Sequence, residues 1–246
     1  MRIALVSDIH GNLAALEAVA CDIERRGVSQ VANLGDSLSG PLLPLETARF
    51  LMAQDWIHLA GNHERQILDI RARPGGGGES DRYACGTLSS FELDWLASLP
   101  SSVELPDGLL LCHGTPHSDC ITLLQTAERA ATLVEIEARL GETRADVIGC
   151  GHSHVARSVR TPHGTLIVNP GSVGQPAYAD DYPYHHSVET GSPDARYAIL
   201  EQRNGQWLTA LISVPYDARP MAALARGRGM PDVGHALLTG YMPGNA

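Results

Sequence analysis

The 246 residues carry a net charge of −10, and all 18 basic residues are Arg. An acidic chain is a poor binder of nucleic-acid backbone. Its length suits one large domain or two small ones, and no apolar run is long enough to cross a membrane. Met1-Arg2 leads straight into a strand with no secretory apolar segment. The five Cys, at 21, 85, 112, 120 and 150, have no paired metal-type spacing. Reduced thiols and a cytoplasmic location are therefore expected.

Ile3-Ala4-Leu5-Val6 reads as a strand buried on both faces, and Leu13 to Gly27 as a helix with Leu13, Leu16, Ala20 and Ile23 on its apolar side. Between them, Ser7-Asp8-Ile9-His10-Gly11-Asn12 is a strand-to-helix turn at the C-terminal edge of a parallel sheet, where open α/β folds place ligands. Side chains two apart on an extended segment point the same way, so Asp8 and His10 can share one metal ion. Asn12 suits a helix N-cap. Val31 to Leu34 is a second strand, ending in Gly35-Asp36. After a helix over Leu45 to Gln54, Trp56 to Ala60 is a third strand, ending in Gly61-Asn62-His63-Glu64. This β-α-β-α-β start argues for an α/β sheet with right-handed crossovers.

Glu64 to Arg71 is helical. Pro74 to Gly78 and the polar stretch up to Gly86 read as a surface insertion or a mobile lid. Ser89 to Leu99 is a helix. Val103–Leu105 and Leu109–Cys112 form a hairpin, followed at once by His113-Gly114. Thr126 to Leu140 reads as one long helix. Asp146 to Cys150 is a strand ending in Gly151-His152-Ser153-His154. Val155–Val159 pairs with Thr165–Val168, and Ala195–Leu200 with Trp207–Val214 around Asn204-Gly205. In the segment before Ala195, Tyr178, Tyr182 and Tyr184 either pack the loop onto the body or stack on an aromatic substrate group. The whole reads as one α/β domain with two packed sheets and helices outside. The tail from Pro215 reads as short helices covering a sheet edge, with self-association or an approach to phosphate as alternatives.

Asp8/His10, Asp36, Asn62/His63, His113 and His152/His154 each follow an apolar run directly and lie beside a Gly that lets the chain turn. Any one of them is ordinary, since a strand-end His is usually a hydrogen-bonded surface residue. Five together point to metal chemistry. Oxygen and imidazole donors suit Mn²⁺, Fe, Zn²⁺, Ni²⁺ or Co²⁺ rather than Ca²⁺, and the Asp36 carboxylate can bridge two ions.

Asp8-x-His10, Gly35-Asp36, Gly61-Asn62-His63-Glu64, His113-Gly114 and Gly151-His152-x-His154, in this order, resemble the calcineurin-like metallophosphoesterases. Asn169-Pro170-Gly171-Ser172-Val173-Gly174-Gln175-Pro176 is similar to their small bacterial and archaeal phosphodiesterase branch. The resemblance implies a four-layer α-β-β-α sandwich of two mixed sheets flanked by helices. It implies a metallophosphoesterase domain over 1–214, with insertions at 74–88 and 177–194, and a C-terminal extension over 215–246 packed on it. Asp8, His10 and His154 would ligate one ion, Asn62, His113 and His152 a second, and Asp36 both. The ions would be divalent transition metals, manganese first among iron, zinc, nickel and cobalt. A hydroxide between them would attack phosphorus, with catalytic His63 at the leaving oxygen and Asn12 donating to phosphate or water. The implied substrate is a small phosphorylated molecule such as a nucleotide, as a diester or a monoester. Membrane and nucleic-acid partners are not implied, and self-association stays open. One departure matters. Ser39-Gly40 stand where the protein Ser/Thr phosphatases have an Asp-Arg pair, so the carboxylate that orients the catalytic His in that branch is missing. The alternative reading is a non-catalytic scaffold of the same fold, which degraded ligands and a lost His63 would favour.

Overall fold

A computed structural model describes residues 1–73 and 75–244. β1 (Arg2–Val6) is buried throughout from Ile3, and its alternate residues enter different cores. Ile3 and Leu5 pack between two sheets. Ala4 and Val6 pack under helices. This is the expected behaviour of a central strand covered on both faces.

β1 pairs in parallel with β2 (Gln30–Asn33), and β2 with β3 (Ile57–His58). On its other side β1 runs antiparallel to β11 (Ala195–Arg203), which pairs with β12 (Gln206–Val214). The second sheet has the order β4 (Ser102–Leu105), β5 (Leu109–Cys112), β6 (Val147–Gly149), β8 (Leu166–Asn169), β7 (Arg157–Arg160). In it β5, β6 and β8 are parallel and the edge pairs antiparallel. Leu34, Leu59, Leu111, Val168, Leu200 and Trp207 fill the space between the sheets with Ile3 and Leu5. α1 (Leu13–Arg25), α2 (Pro44–Met52), α3 (Asn62–Ala72), α4 (Glu79–Thr87) and α5 (Ser90–Ser98) cover the first sheet. α6 (Leu133–Leu140) covers the second. This is the four-layer α-β-β-α arrangement expected.

Several elements differ from the expectations. Pro74 lies outside the described residues, but most of the supposed loop after it is α4, whose Ala84 is fully buried among the outer helices. Its polar composition hid a single inward stripe. The long helix from Thr126 starts only at Leu133, where Thr132 and Glu135 form a capping box. Residues 113–132 are a loop instead. Arg139 donates to the carbonyls of Leu123 and Gln125, and Arg157 to those of Leu124 and Ala131. These tertiary bonds satisfy backbone acceptors within and just before that segment and hold it as a loop.

The segment between Gln175 and Ala195 forms a hairpin of β9 (Ala177–Asp180) and β10 (His186–Glu189). The tail is helical and lies in part against the β9–β10 hairpin, where Gly191, just after β10, donates its N–H to Gly240 O. Its α7 (Arg219–Gly227) and α8 (Pro231–Thr239) pack on Leu42, Leu43 and Ala14. Arg228 donates to the Pro41 and Leu42 carbonyls and lies 4.7 Å over the Tyr83 ring of α4. No helix of the described residues is long and apolar enough to cross a membrane.

Candidate metal centre

The candidate ligands sit where parallel strands stop. Asp8 and His10 lie between β1 and α1, and Asp36 follows β2. Asn62 opens α3, His113 follows β5, and His152 and His154 follow β6. Asp8 and His10 do not share an extended segment. Both are left-handed, with φ of 56° and 52°, and so are Asp36 (55°), His152 (67°) and His154 (58°). Among the other described non-glycine residues only Asp107 and Asn204 adopt this conformation. It costs an L-residue ~1–2 kcal/mol, least for Asp, Asn and His. Five such residues in one site persist only because their surroundings over-determine them.

Those surroundings are a web of loop-to-loop bonds. Asp8 N donates to Gly35 O and His10 N to Asp36 O, both at 3.0 Å, and Gly174 N donates to Asp8 O at 3.0 Å. Buried Glu64 accepts from the backbone N–H of Gly61 (2.7 Å), Asp36 (2.8 Å) and Ser37 (2.8 Å), tying the loops after β2 and β3 together. Burial and Asp36 push its pKa up, and the three N–H donors pull it back. The Asn169–Pro176 motif belongs to this web. Asn169 Nδ2 donates to Gly151 O (2.6 Å), and Ser172 Oγ to Asp8 O (2.7 Å). Gly61 must be glycine, because a Cβ there would meet Asp36 Oδ1 and lie 2.9 Å from His113 Cε1.

Two groups of side chains can each hold an ion: Asp8, His10 and His154, and Asp36, His113 and His152. In the first group His10 Nδ1 lies 3.0 Å from Ser39 O, and His154 Nδ1 lies 2.8 Å from Gln175 O. A carbonyl only accepts, so both Nδ1 atoms carry the proton and both Nε2 atoms present a lone pair. Those two Nε2 atoms face each other at 3.2 Å. Asp8 Oδ1 is 3.4 Å from His154 Nε2, buried, and accepts no hydrogen bond of normal geometry among the described residues. Burial, with the neighbouring His154 and His63, lowers the His10 pKa to about 3, so His10 Nε2 keeps its lone pair. A cation between the two nitrogens would satisfy both. This donor set fits a transition-metal ion, with the backbone carbonyls fixing each tautomer.

The second group is built on the same plan. His113 Nδ1 donates to Leu34 O at 2.9 Å, leaving Nε2 at 3.0 Å from Asp36 Oδ2 and 3.2 Å from Asn62 Oδ1. Burial alone would lower the His113 pKa, but the Asp36 carboxylate overcomes it and raises it to about 10. His152, half-buried and beside His113, is lowered to about 4 by desolvation and the His113 charge. Burial would raise the Asp36 pKa, but His113 and His63 hold it well below the usual carboxylate range. The His152 N–H donates to Asp8 Oδ2 at 3.2 Å, which joins the two groups.

His63 is brought to the same cavity, of about 320 Å³, with His10, Asp36, Asn62, His152 and His154. The His63 N–H donates to Asp36 Oδ1 (2.9 Å), and its Nδ1 donates to Asp81 Oδ1 (2.7 Å). Asp81, on the first turn of α4, is only 2% exposed. Burial opposes a charge on His63, but Asp36 and the Asp81 hydrogen bond raise its pKa to about 9. A carboxylate thus does orient His63, from a helix in the segment whose composition suggests a surface insertion. The available signal was the acidic pair Glu79 and Asp81 just after the glycine run, a helix-start pattern.

Asn12 is placed differently from the phosphate contact expected. It is fully buried, its Oδ1 caps α1 at Ala15 N, and its Nδ2 donates to Gly174 O and Tyr216 Oη, both at 2.9 Å. Both amide protons point into the protein. Tyr178 packs its ring 4.6 Å from that of His154. His185 pairs with Asp181 at the surface and His186 bonds the Tyr184 carbonyl. Neither belongs to a ligand group.

The calcineurin-like phosphoesterase superfamily domain matches residues 1–191, and the chain belongs to this superfamily. An uncharacterized protein of Methanocaldococcus jannaschii is 26% identical over 241 residues, covering 88% of each chain. The crystal structure of a metallophosphoesterase from Sphaerobacter thermophilus superposes with a TM-score of 0.75 at 24% identity, over 98% of this chain and 100% of that one. A hypothetical protein from Pyrococcus horikoshii OT3 gives 0.75 at 17% identity, over 98% and 99%. These likenesses establish the shared fold.

Proposed function

We propose that this member of the calcineurin-like phosphoesterase superfamily hydrolyses small phosphate esters at a pair of divalent transition-metal ions, manganese foremost. Asp8, His10 and His154 would hold one ion, Asn62, His113 and His152 the other, and Asp36 both. The observation that carries this reading is the pair of imidazole Nε2 atoms, on His10 and His154, facing each other at 3.2 Å beside Asp8 while their Nδ1 atoms lie against backbone carbonyls.

When bound, two such ions supply charge neutralisation for phosphoryl oxygens and a water of lowered pKa. The protein does the rest. The crossed loop bonds keep the ligands in place before substrate arrives, so no reorganisation is needed. His63 lines the cavity with Nδ1 tied to Asp81, which leaves Nε2 as the nitrogen that meets substrate. Held protonated by Asp36 and Asp81, it donates to the departing alkoxide, a contribution of ~10²–10⁴-fold.

The walls favour a diester. Among the described lining residues no Arg faces the cavity, and the chain has no Lys. Asp180 stands at the rim. A singly charged diester asks less of such walls than a dianionic monoester. The direct test is hydrolysis of bis-p-nitrophenyl phosphate and p-nitrophenyl phosphate. Metal-depleted protein should be inactive, Mn²⁺ should restore turnover, and the diester should be the better substrate. No turnover with any divalent metal or ester would favour a non-catalytic scaffold.

A further inference from the structure

Beside the metal cavity lies a groove of about 360 Å³, between the β9–β10 hairpin and the loop around residues 120–127. The two spaces share His152, Tyr178 and Asp180 as a common wall. The groove is a built feature of the fold, because Tyr184 Oη near the hairpin tip donates to Glu128 Oε1 of the facing loop at 2.7 Å. Two large side chains on its walls stand bare: Tyr182 is 80% exposed and Ile121 49%. Pro183 and Val188 add apolar surface, and Gln125 a polar edge.

We infer that this groove receives a flat, uncharged, aromatic arm of a phosphodiester substrate, and that this arm stays on phosphorus. The inference rests on the proposed phosphoesterase reading. Position selects the arm. A diester at the metal centre has two organic arms, and His63, the proton donor to the departing oxygen, lines the cavity but not the groove. The arm in the groove is therefore the retained one. Water adds its oxygen to phosphorus, the P–O bond to the other arm breaks, and that arm leaves as an alcohol carrying the His63 proton. The product is a phosphate monoester still bearing the aromatic arm.

Chemistry selects the class. Tyr182, Tyr178 and Pro183 offer flat faces on which a ring stacks. The groove does not suit a second phosphate. Asp180 and Asp181 sit at the hairpin tip, and Arg139, the sole guanidinium among the described lining residues, already donates to the Leu123 and Gln125 carbonyls. An aryl group and a nucleobase share the required flat ring, and the experiment separates them.

The test uses three diesters with one leaving group and different retained arms: methyl, phenyl and thymidine-5′ p-nitrophenyl phosphate, with Mn²⁺-loaded protein. Wild type should prefer a ring-bearing arm over methyl in kcat/KM. Tyr182→Ala and Ile121→Ser should each lower that ratio about fivefold to tenfold, the larger loss naming phenyl or thymidine as the better arm. Tyr182 is exposed enough that its loss does not threaten folding. Binding of phenyl phosphate and thymidine 5′-phosphate against methyl phosphate, by calorimetry, reads the groove without turnover. The ring-bearing monoesters should bind more tightly, and the advantage should shrink in both variants. A ratio and an affinity difference that neither substitution moves would overturn the inference. A wild type that binds the ring-bearing monoesters in this way but hydrolyses nothing would keep the groove and defeat the phosphoesterase reading.

Discussion

The two ligand groups look alike in composition but differ in what they ask of a cation. Around Asp8, His10 and His154, the lone pairs of His10 and His154 oppose each other and His10 is held neutral, with a pKa of about 3. Around Asp36, His113 and His152, the Asp36 carboxylate lies against His113 and holds a proton there, with a pKa of about 10. In the first group the His10 and His154 Nε2 atoms face each other at 3.2 Å and His10 takes up no second proton. The second group is satisfied by a proton that a metal must displace. The difference comes from placement. Each carboxylate also accepts one backbone N–H, but Asp36 Oδ2 lies 3.0 Å from His113 Nε2, whereas Asp8 Oδ1 meets His154 Nε2 only at 3.4 Å.

The largest effect should come from removing what the groups share. Asp36→Ala should release both ions and abolish turnover, with a loss exceeding the ~10²–10⁴-fold assigned to His63. Metal analysis of the purified variant beside its kcat checks this. Retention of one full equivalent would show that Asp36 serves one group alone.

A smaller effect is expected outside both groups. Asp81→Asn should keep both ions and lower kcat about tenfold or more, within the share that a positioned acid contributes. Its pH profile should also change. Asp81 helps raise the His63 pKa to about 9, and His63 works in its protonated form, so activity falls as pH rises through that pKa. Without the carboxylate the alkaline limb should move to lower pH. An unmoved limb would show that Asp81 only holds α4 in place.

The smallest effect separates the groups most cleanly. Metal uptake by chelated protein at pH 7.5 should release a proton from His113, whose pKa of about 10 lies above that pH, and none from His10 or His152, at about 3 and 4. Calorimetric titration in buffers of different ionisation enthalpy reads this directly. Two binding steps with equal proton release would erase the distinction drawn between the groups.

Much of this centre was legible in the chain, for a physical reason. A parallel strand buried on both faces is a continuous apolar run, so its end is visible. Polar residues directly after it fall at the sheet edge, as with Leu5-Val6 before Asp8 and Ile148 before His152. What lay hidden depends on tertiary context. The left-handed turn at Asp8 and His10 has no periodicity to betray it. The helix that brings Asp81 to His63 has one buried stripe in a polar, glycine-flanked segment. Residues 126–132 have helical composition, but Arg139 and Arg157 hold the neighbouring carbonyls in a loop. The amide of Asn12 gave a correct cap from local rules, while its donors went to Gly174 and Tyr216, far along the chain.

The central claim is a two-ion centre, and counting ions tests it most directly. Metal-depleted protein titrated with Mn²⁺ and weighed by native mass spectrometry should take up two ions per chain, with bis-p-nitrophenyl phosphate hydrolysis appearing as the second binds. Saturation at one ion with full activity, or hydrolysis by the metal-free chain, would contradict it.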